Sequence, residues 1–208
     1  MSEIIRLPQM TRDAEVRAAS FNEADNTVEV VWTAGATVRR VTWMDGEFDE
    51  ELIVDANSVR LDRLNAGAPL LDTHGRWSLS DVIGSVVKGS ARLEGGKGYA
   101  RVLLSSAPDT VDRVAKIKEG TVSNISVGYR IYAVEKMERE GKIPLHRVID
   151  WEPFEISAVP VPADPGAQVR SGAGDALYSC RVIHPASEGN SICRMRMNLM
   201  QRQAELAR

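Results

Sequence analysis

The stretch Thr121-Val122-Ser123-Asn124-Ile125-Ser126-Val127-Gly128-Tyr129-Arg130 narrows the structures open to this chain more than any other. Its β-branched and aromatic residues predict a strand. Ile125, Val127 and Tyr129 fall on one face by the period of two, and Ser126 and Gly128 on the other. Glycine in a strand often marks close backbone approach, so the Ser126 face has room for a substrate backbone. Taken alone, the strand fits a small core or surface serine more simply than a nucleophile. A helix over 109–119 is expected to feed this strand, with Gly120 as its stop.

The other informative stretches lie on either side. Upstream run Pro69-Leu70-Leu71-Asp72-Thr73-His74 and then Asp81-Val82-Ile83-Gly84-Ser85-Val86. Downstream run Trp151-Glu152-Pro153-Phe154-Glu155-Ile156-Ser157 and Pro162-Ala163-Asp164-Pro165. In this order the chain, over about residues 25–167, resembles the prohead proteases of tailed bacteriophages. These serine peptidases are related in fold to the herpesvirus assembly proteases. The resemblance implies a small herpesvirus-protease-like β-barrel flanked by helices. It also implies a serine endopeptidase that cleaves scaffolding protein, the scaffolding segment of the major capsid protein, and itself. Its place of action would be inside the viral prohead, in the host cytoplasm. Dimerisation is implied by the same resemblance.

A serine hydroxyl needs a base within hydrogen-bond reach and a third group to orient that base. Ser126 is the expected nucleophile. His74 is the expected base, because imidazole titrates near pH 6.5; it lies 52 residues earlier, so the two meet only through the fold. The family often places an acid directly after this histidine, whereas Gly75 stands here. Glu155, alternating with Phe154 and Ile156, is the favoured orienting group. Glu152 is a second candidate. His146 would give a Ser-His-His set, although its neighbours suggest an exposed surface histidine. Backbone N–H groups or Arg130 are candidates for holding the oxyanion. Asp72 is expected to steady the His74 loop by local backbone bonds.

The remaining sequence sets the frame. Strands are expected at 27–32, 36–43, 82–87, 98–104, 131–134, 145–151 and 154–161, so the fold is mainly β with a few α-helices (α+β). A helix from Asp55 to about Asn65 is expected, and a loop over 46–54 whose acids Glu47, Asp49, Glu50 and Glu51 form, with Asp45, a solvated face. The division is an extended or poorly ordered N-terminal arm (1–23), a protease domain (24–167), a linker (168–190) and a helical C-terminal segment (191–208), the last two making a flexible extension. A net charge of −3 gives no reason to invoke nucleic acid. No apolar run reaches the ~20 residues of a membrane span. Three scattered histidines offer no metal spacing, and no cofactor motif is present. Cys180 and Cys193 are expected to be free thiols. Two other readings stay open. An inactive protease-fold scaffold would leave Ser126 and His74 far apart. A hydrolase of non-peptide esters would have a deep apolar pocket at Ser126.

Overall fold

The computed structural model describes residues 2–16, 21–42, 45–160 and 177–184. Within them the chain is mostly β. The strands are β1 (Ser2–Leu7), β2 (Met10–Val16), β3 (Thr27–Thr33), β4 (Val38–Thr42), β5 (Gly46–Leu52), β6 (Pro69–Asp72), β7 (Val82–Val86), β8 (Arg92–Glu94), β9 (Lys97–Leu104), β10 (Asn124–Arg139), β11 (Lys142–Ala158) and β12 (Tyr178–Ile183). The helices are α1 (Asp62–Asn65) and α2 (Val111–Lys118). The strands form one sheet in the order β1-β12-β10-β2-β3-β9-β7-β6-β11-β5-β4, with β8 on β9. It is open at β1 and β4. The long strands β10 and β11 also pair with each other, so the path from β10 through β2, β3, β9, β7, β6 and β11 returns to β10.

The two-residue period fixes what is inside. Ile125, Val127 and Tyr129 are buried on one face of β10. Trp151 meets Tyr129 and Trp32 edge-on, with centroids 5.6 and 6.0 Å apart, an arrangement favoured by the ring quadrupoles. In α2, Val114 and Ile117 are buried, whereas Val111 is exposed.

Several expectations are corrected. The N-terminal arm contributes two strands to the sheet, β1 on β12 and β2 between β10 and β3. Their long-range partners leave no local sequence signal. The expected linker contains β12, whose alternate residues Cys180 and Val182 are buried. Cys180 is a free thiol pushed up to about 12 by burial. Cys193 and the segment 191–208 lie outside the described residues.

The expected 46–54 loop is strand β5, with Phe48, Glu50 and Leu52 turned inward. The expected 55–65 helix is a turn capped by the Asp55 carboxylate, followed by the single turn α1. Between them the Arg60 amide donates to the Trp151 carbonyl and the Trp151 amide to the Ser58 carbonyl. Tertiary strand pairing displaces the helical bonds there.

Glu50 sits at the centre of a buried cluster. Its carboxylate accepts from Arg12 at 2.9 Å, Arg40 at 3.3 Å and the Tyr129 hydroxyl at 2.5 Å. Arg12 also donates to the carbonyls of Ala36 and Glu50, and Arg40 to that of Thr11. The cluster ties β2, β4, β5 and β10 together.

Candidate active site

Three adjacent strands, β10, β11 and β6, converge on one place. The antiparallel register sets Ser126 opposite Ser157 and Gly128 opposite Glu155. β6 runs parallel to β11 on its other side, with Leu71 beside Ser157 and Asp72 beside Ala158. Leu70 and Leu71 are both buried and anchor β6 on both faces. The chain then leaves the sheet through Thr73 and His74 with φ of 51° and 61°, conformations rare for residues with a Cβ. Such strain persists only where the surroundings over-determine it. Here the Thr73 amide donates to the Ala158 carbonyl, the His74 amide to Ser157 Oγ and the Gly75 amide to the Asp72 carbonyl. The Asp72 side chain adds bonds from Thr73 Oγ1 and Arg113.

This turn places the imidazole between serine and carboxylate. His74 Nε2 lies 2.9 Å from Ser126 Oγ, and His74 Nδ1 lies 2.7 Å from Glu155 Oε1. An ionised carboxylate only accepts, so Nδ1 carries the proton and Nε2 offers its lone pair to the hydroxyl. Ser157 completes the set by donating to Glu155 Oε2 at 2.6 Å while accepting from the His74 amide. His74 is thus held at its backbone by Ser157 and at its ring by Glu155, two residues apart on β11.

Ser157 carries this positioning role, and the sequence reading passed over it. Its signal was its place two residues after Glu155, on the same strand face. The Ser126 hydroxyl has a second acceptor in the Arg12 carbonyl, at 3.2 Å. Ser126 is 2% exposed and the His74 side chain 30%. The imidazole is thus the solvent-facing partner of the buried hydroxyl.

Gly128 has a different purpose from the one expected. A Cβ there would stand 2.2 Å from Glu155 Oε1 and 2.8 Å from the Phe154 ring. The space beside this glycine is filled by the Glu155 carboxylate that contacts His74 Nδ1. Gly128→Ala is therefore expected to push Glu155 off His74 Nδ1. An ångström of displacement costs about a hundred-fold in rate, and kcat of the purified variant against wild type measures it.

The other candidates lie elsewhere. Glu152 accepts from the Tyr132 hydroxyl at 3.2 Å and faces Arg130 at 3.9 Å. The Arg130 guanidinium donates to the Tyr178 hydroxyl and stacks on the Tyr178 and Phe154 rings. Its contacts lie there rather than with Ser126 or His74. His146 is buried, stacked on Phe48 at 3.9 Å, and is not a surface residue.

Burial and then the Lys136 charge lower the His146 pKa against the opposing pull of Asp45 and Glu50. A histidine whose folded pKa is depressed binds its proton more readily when unfolded. Its penalty is absent above the unfolded pKa near 6.5 and grows as pH falls below it. The stability advantage of wild type over His146→Gln is therefore expected to shrink between pH 7 and pH 5. Chemical denaturation across that range reads it.

Among the described residues no group of His, Cys, Asp and Glu is placed to hold a metal, and no helix is long and apolar enough to cross a membrane. No solved structure matches the chain. Over 103 residues, 50% of this chain, it is 37% identical to a protein named major capsid protein from Halomonas phage phiHAP-1, covering 17% of that relative's length. Residues 18–177 match the family described as caudovirus prohead serine protease. That span contains Ser126, His74 and Glu155 together with the strands that hold them, and the chain belongs to this family.

Proposed function

We propose that the chain is an endopeptidase of capsid maturation in which Ser126 is the nucleophile, His74 the general base and Glu155 the group that orients it. The observation that carries this reading is the unbroken Ser126–His74–Glu155 chain, with separations of 2.9 and 2.7 Å. His74 Nε2 takes the proton of Ser126 as Oγ bonds to the peptide carbonyl carbon. The tetrahedral intermediate collapses, the C–N bond breaks, and the imidazolium gives its proton to the leaving amine. Water then repeats the sequence on the ester and restores Ser126. Glu155 holds the tautomer and steadies the imidazolium between the steps. The engagement of Arg130 with Tyr178 favours backbone N–H groups as oxyanion donors.

The family and the capsid-protein relative support substrates in the shell itself: scaffolding protein, a scaffolding segment of the capsid protein, and the enzyme's own chain. The site of action would be the prohead interior in the host cytoplasm. The β10–β11 pairing, which returns the strand path to its start, supports a barrel of the herpesvirus-protease type. The 2.9 Å contact speaks against an inactive scaffold. A cavity of about 640 Å³ lies between β1, β4, β5 and the far half of β10, and neither Ser126 nor His74 lines it. That cavity is therefore not the deep apolar pocket at Ser126 that a hydrolase of non-peptide esters would use.

The test is incubation of wild type and Ser126→Ala with the capsid and scaffold proteins encoded alongside the chain, in assembled proheads as well as in solution. Fragments are expected from wild type only. Equal fragmentation by both would remove Ser126 from the chemistry.

A further inference from the structure

We propose that the loop following His74 is a docking wall for a large apolar side chain of the peptide substrate, with Trp77 and Leu79 as its specificity-determining residues. The inference rests on the peptidase reading above. Trp77 is 91% and Leu79 92% exposed. Single apolar residues on a surface are ordinary, but these two stand in one short loop that begins at the base. Consecutive Cα atoms are 3.8 Å apart. The Cα of Trp77 therefore lies no more than about 11 Å from that of His74, and the Cα of Leu79 no more than about 19 Å. An extended peptide advances about 3.3 Å per residue, so Trp77 lies within the span of about three peptide residues from His74 and Leu79 within about six. Both belong to the loop that continues directly from His74, whose side chain is the more exposed partner of the buried Ser126 hydroxyl.

The exposure is built in. The Asp81 carboxylate accepts from the amides of Trp77 at 3.0 Å and Ser78 at 2.9 Å. Ser78 in turn caps the short 3-10 turn Leu79–Asp81. Arg113 of α2 donates to the Ser80 carbonyl at 2.7 Å. Gly75 admits no side chain, since a Cβ would stand 2.8 Å from Asp81 Cγ and 2.9 Å from the Asp72 carbonyl. The Arg76 guanidinium lies 5.9 Å from the Trp77 ring centroid and reaches Gln9 in the β1–β2 connection. A preorganised apolar loop that continues from His74 matches an extended substrate whose own apolar residue lacks a partner until it binds.

The experiment is digestion of a proteome-derived peptide library by wild type, Trp77→Ser and Leu79→Ser, with cleavage sites read by mass spectrometry. Thermal unfolding confirms that each variant is folded. Wild type is expected to enrich large apolar residues at one fixed position from the cleaved bond. Trp77→Ser is expected to lose that enrichment and to cut those peptides at least about ten-fold more slowly, the scale of apolar side-chain discrimination. An unchanged profile in both variants would overturn the inference while leaving the peptidase reading intact. So would a variant that keeps its profile but changes its mass in solution, which would assign the loop to contacts between copies. Loss of fluorophosphonate labelling at Ser126 in Trp77→Ser would also overturn it, by placing the loop in support of the catalytic groups. A wild type that neither labels nor cleaves would overturn both.

Discussion

Replacing His74 with alanine is expected to lower kcat by on the order of 10⁴–10⁶-fold, the loss seen when a serine hydrolase is deprived of its base. The reason lies in the hydroxyl. Without Nε2, Ser126 Oγ keeps only the Arg12 carbonyl as a partner, and a carbonyl cannot take its proton. Glu155→Gln is expected to cost about 10⁴-fold, as an amide in the orienting position does in the serine protease template. The geometry here makes the amide unwelcome in either orientation. Oε1 must accept from His74 Nδ1 and Oε2 from Ser157 Oγ. An NH₂ toward His74 favours the tautomer with its proton on Nε2, which cannot receive the serine proton. An NH₂ toward Ser157 takes away the acceptor of that hydroxyl, which in turn holds the His74 amide. Steady-state kinetics on one cleavable peptide measures both losses. The Ser126→Ala, His74→Ala double variant should be no slower than the worse of the singles, because residues acting as one unit are not additive.

Replacing Glu50 with alanine is expected to destabilise the fold by about 3–5 kcal/mol, the cost of stranding buried charges. Arg12 and Arg40 are 3% and 5% exposed and share this one carboxylate. Removal leaves two guanidinium groups facing each other and the Tyr129 hydroxyl without its acceptor. Burial alone would raise the Glu50 pKa, but Arg40 and Arg12 outweigh it and hold the group below its ordinary value. A carboxylate depressed in the folded state contributes stability above its unfolded pKa of about 4.5 and loses it as pH falls toward the folded value. The gap between wild type and Glu50→Ala should therefore narrow below pH 4.5. Urea titrations at pH 7 and pH 4 read both effects. A loss under about 1 kcal/mol at pH 7, the range of an exposed ion pair, would show that the cluster is not buried in solution. The cluster also holds β2, whose Arg12 carbonyl accepts from the Ser126 hydroxyl.

The Ser126 strand is readable in the sequence because its period of two separates Ser126 and Gly128 from the buried Ile125, Val127 and Tyr129. The same period put Glu155 opposite its apolar neighbours. What the strand could not show was its partner. Gly128 suggested space for a substrate, and only the register with β11 reveals that the Glu155 carboxylate occupies it. The acids of 45–51 looked uniformly solvated because charge is local but burial is not. Glu50 shares its strand face with Phe48 and Leu52, and Arg40 from the paired strand β4 together with Arg12 from distant β2 makes that position tolerable. Likewise β1, β2 and β12 are short strands whose pairing partners lie far away in sequence. Ser157 went unassigned because a serine beside a carboxylate carries no signal until the His74 amide is placed above it.

The most direct test of the Ser126–His74–Glu155 assignment is covalent labelling with a fluorophosphonate, located by intact mass and peptide mapping. Wild type should take up one adduct, on Ser126. His74→Ala should label more slowly by several orders of magnitude while remaining folded, and Ser126→Ala should not label. An adduct on another serine, or equal labelling of wild type and His74→Ala, would contradict the assignment.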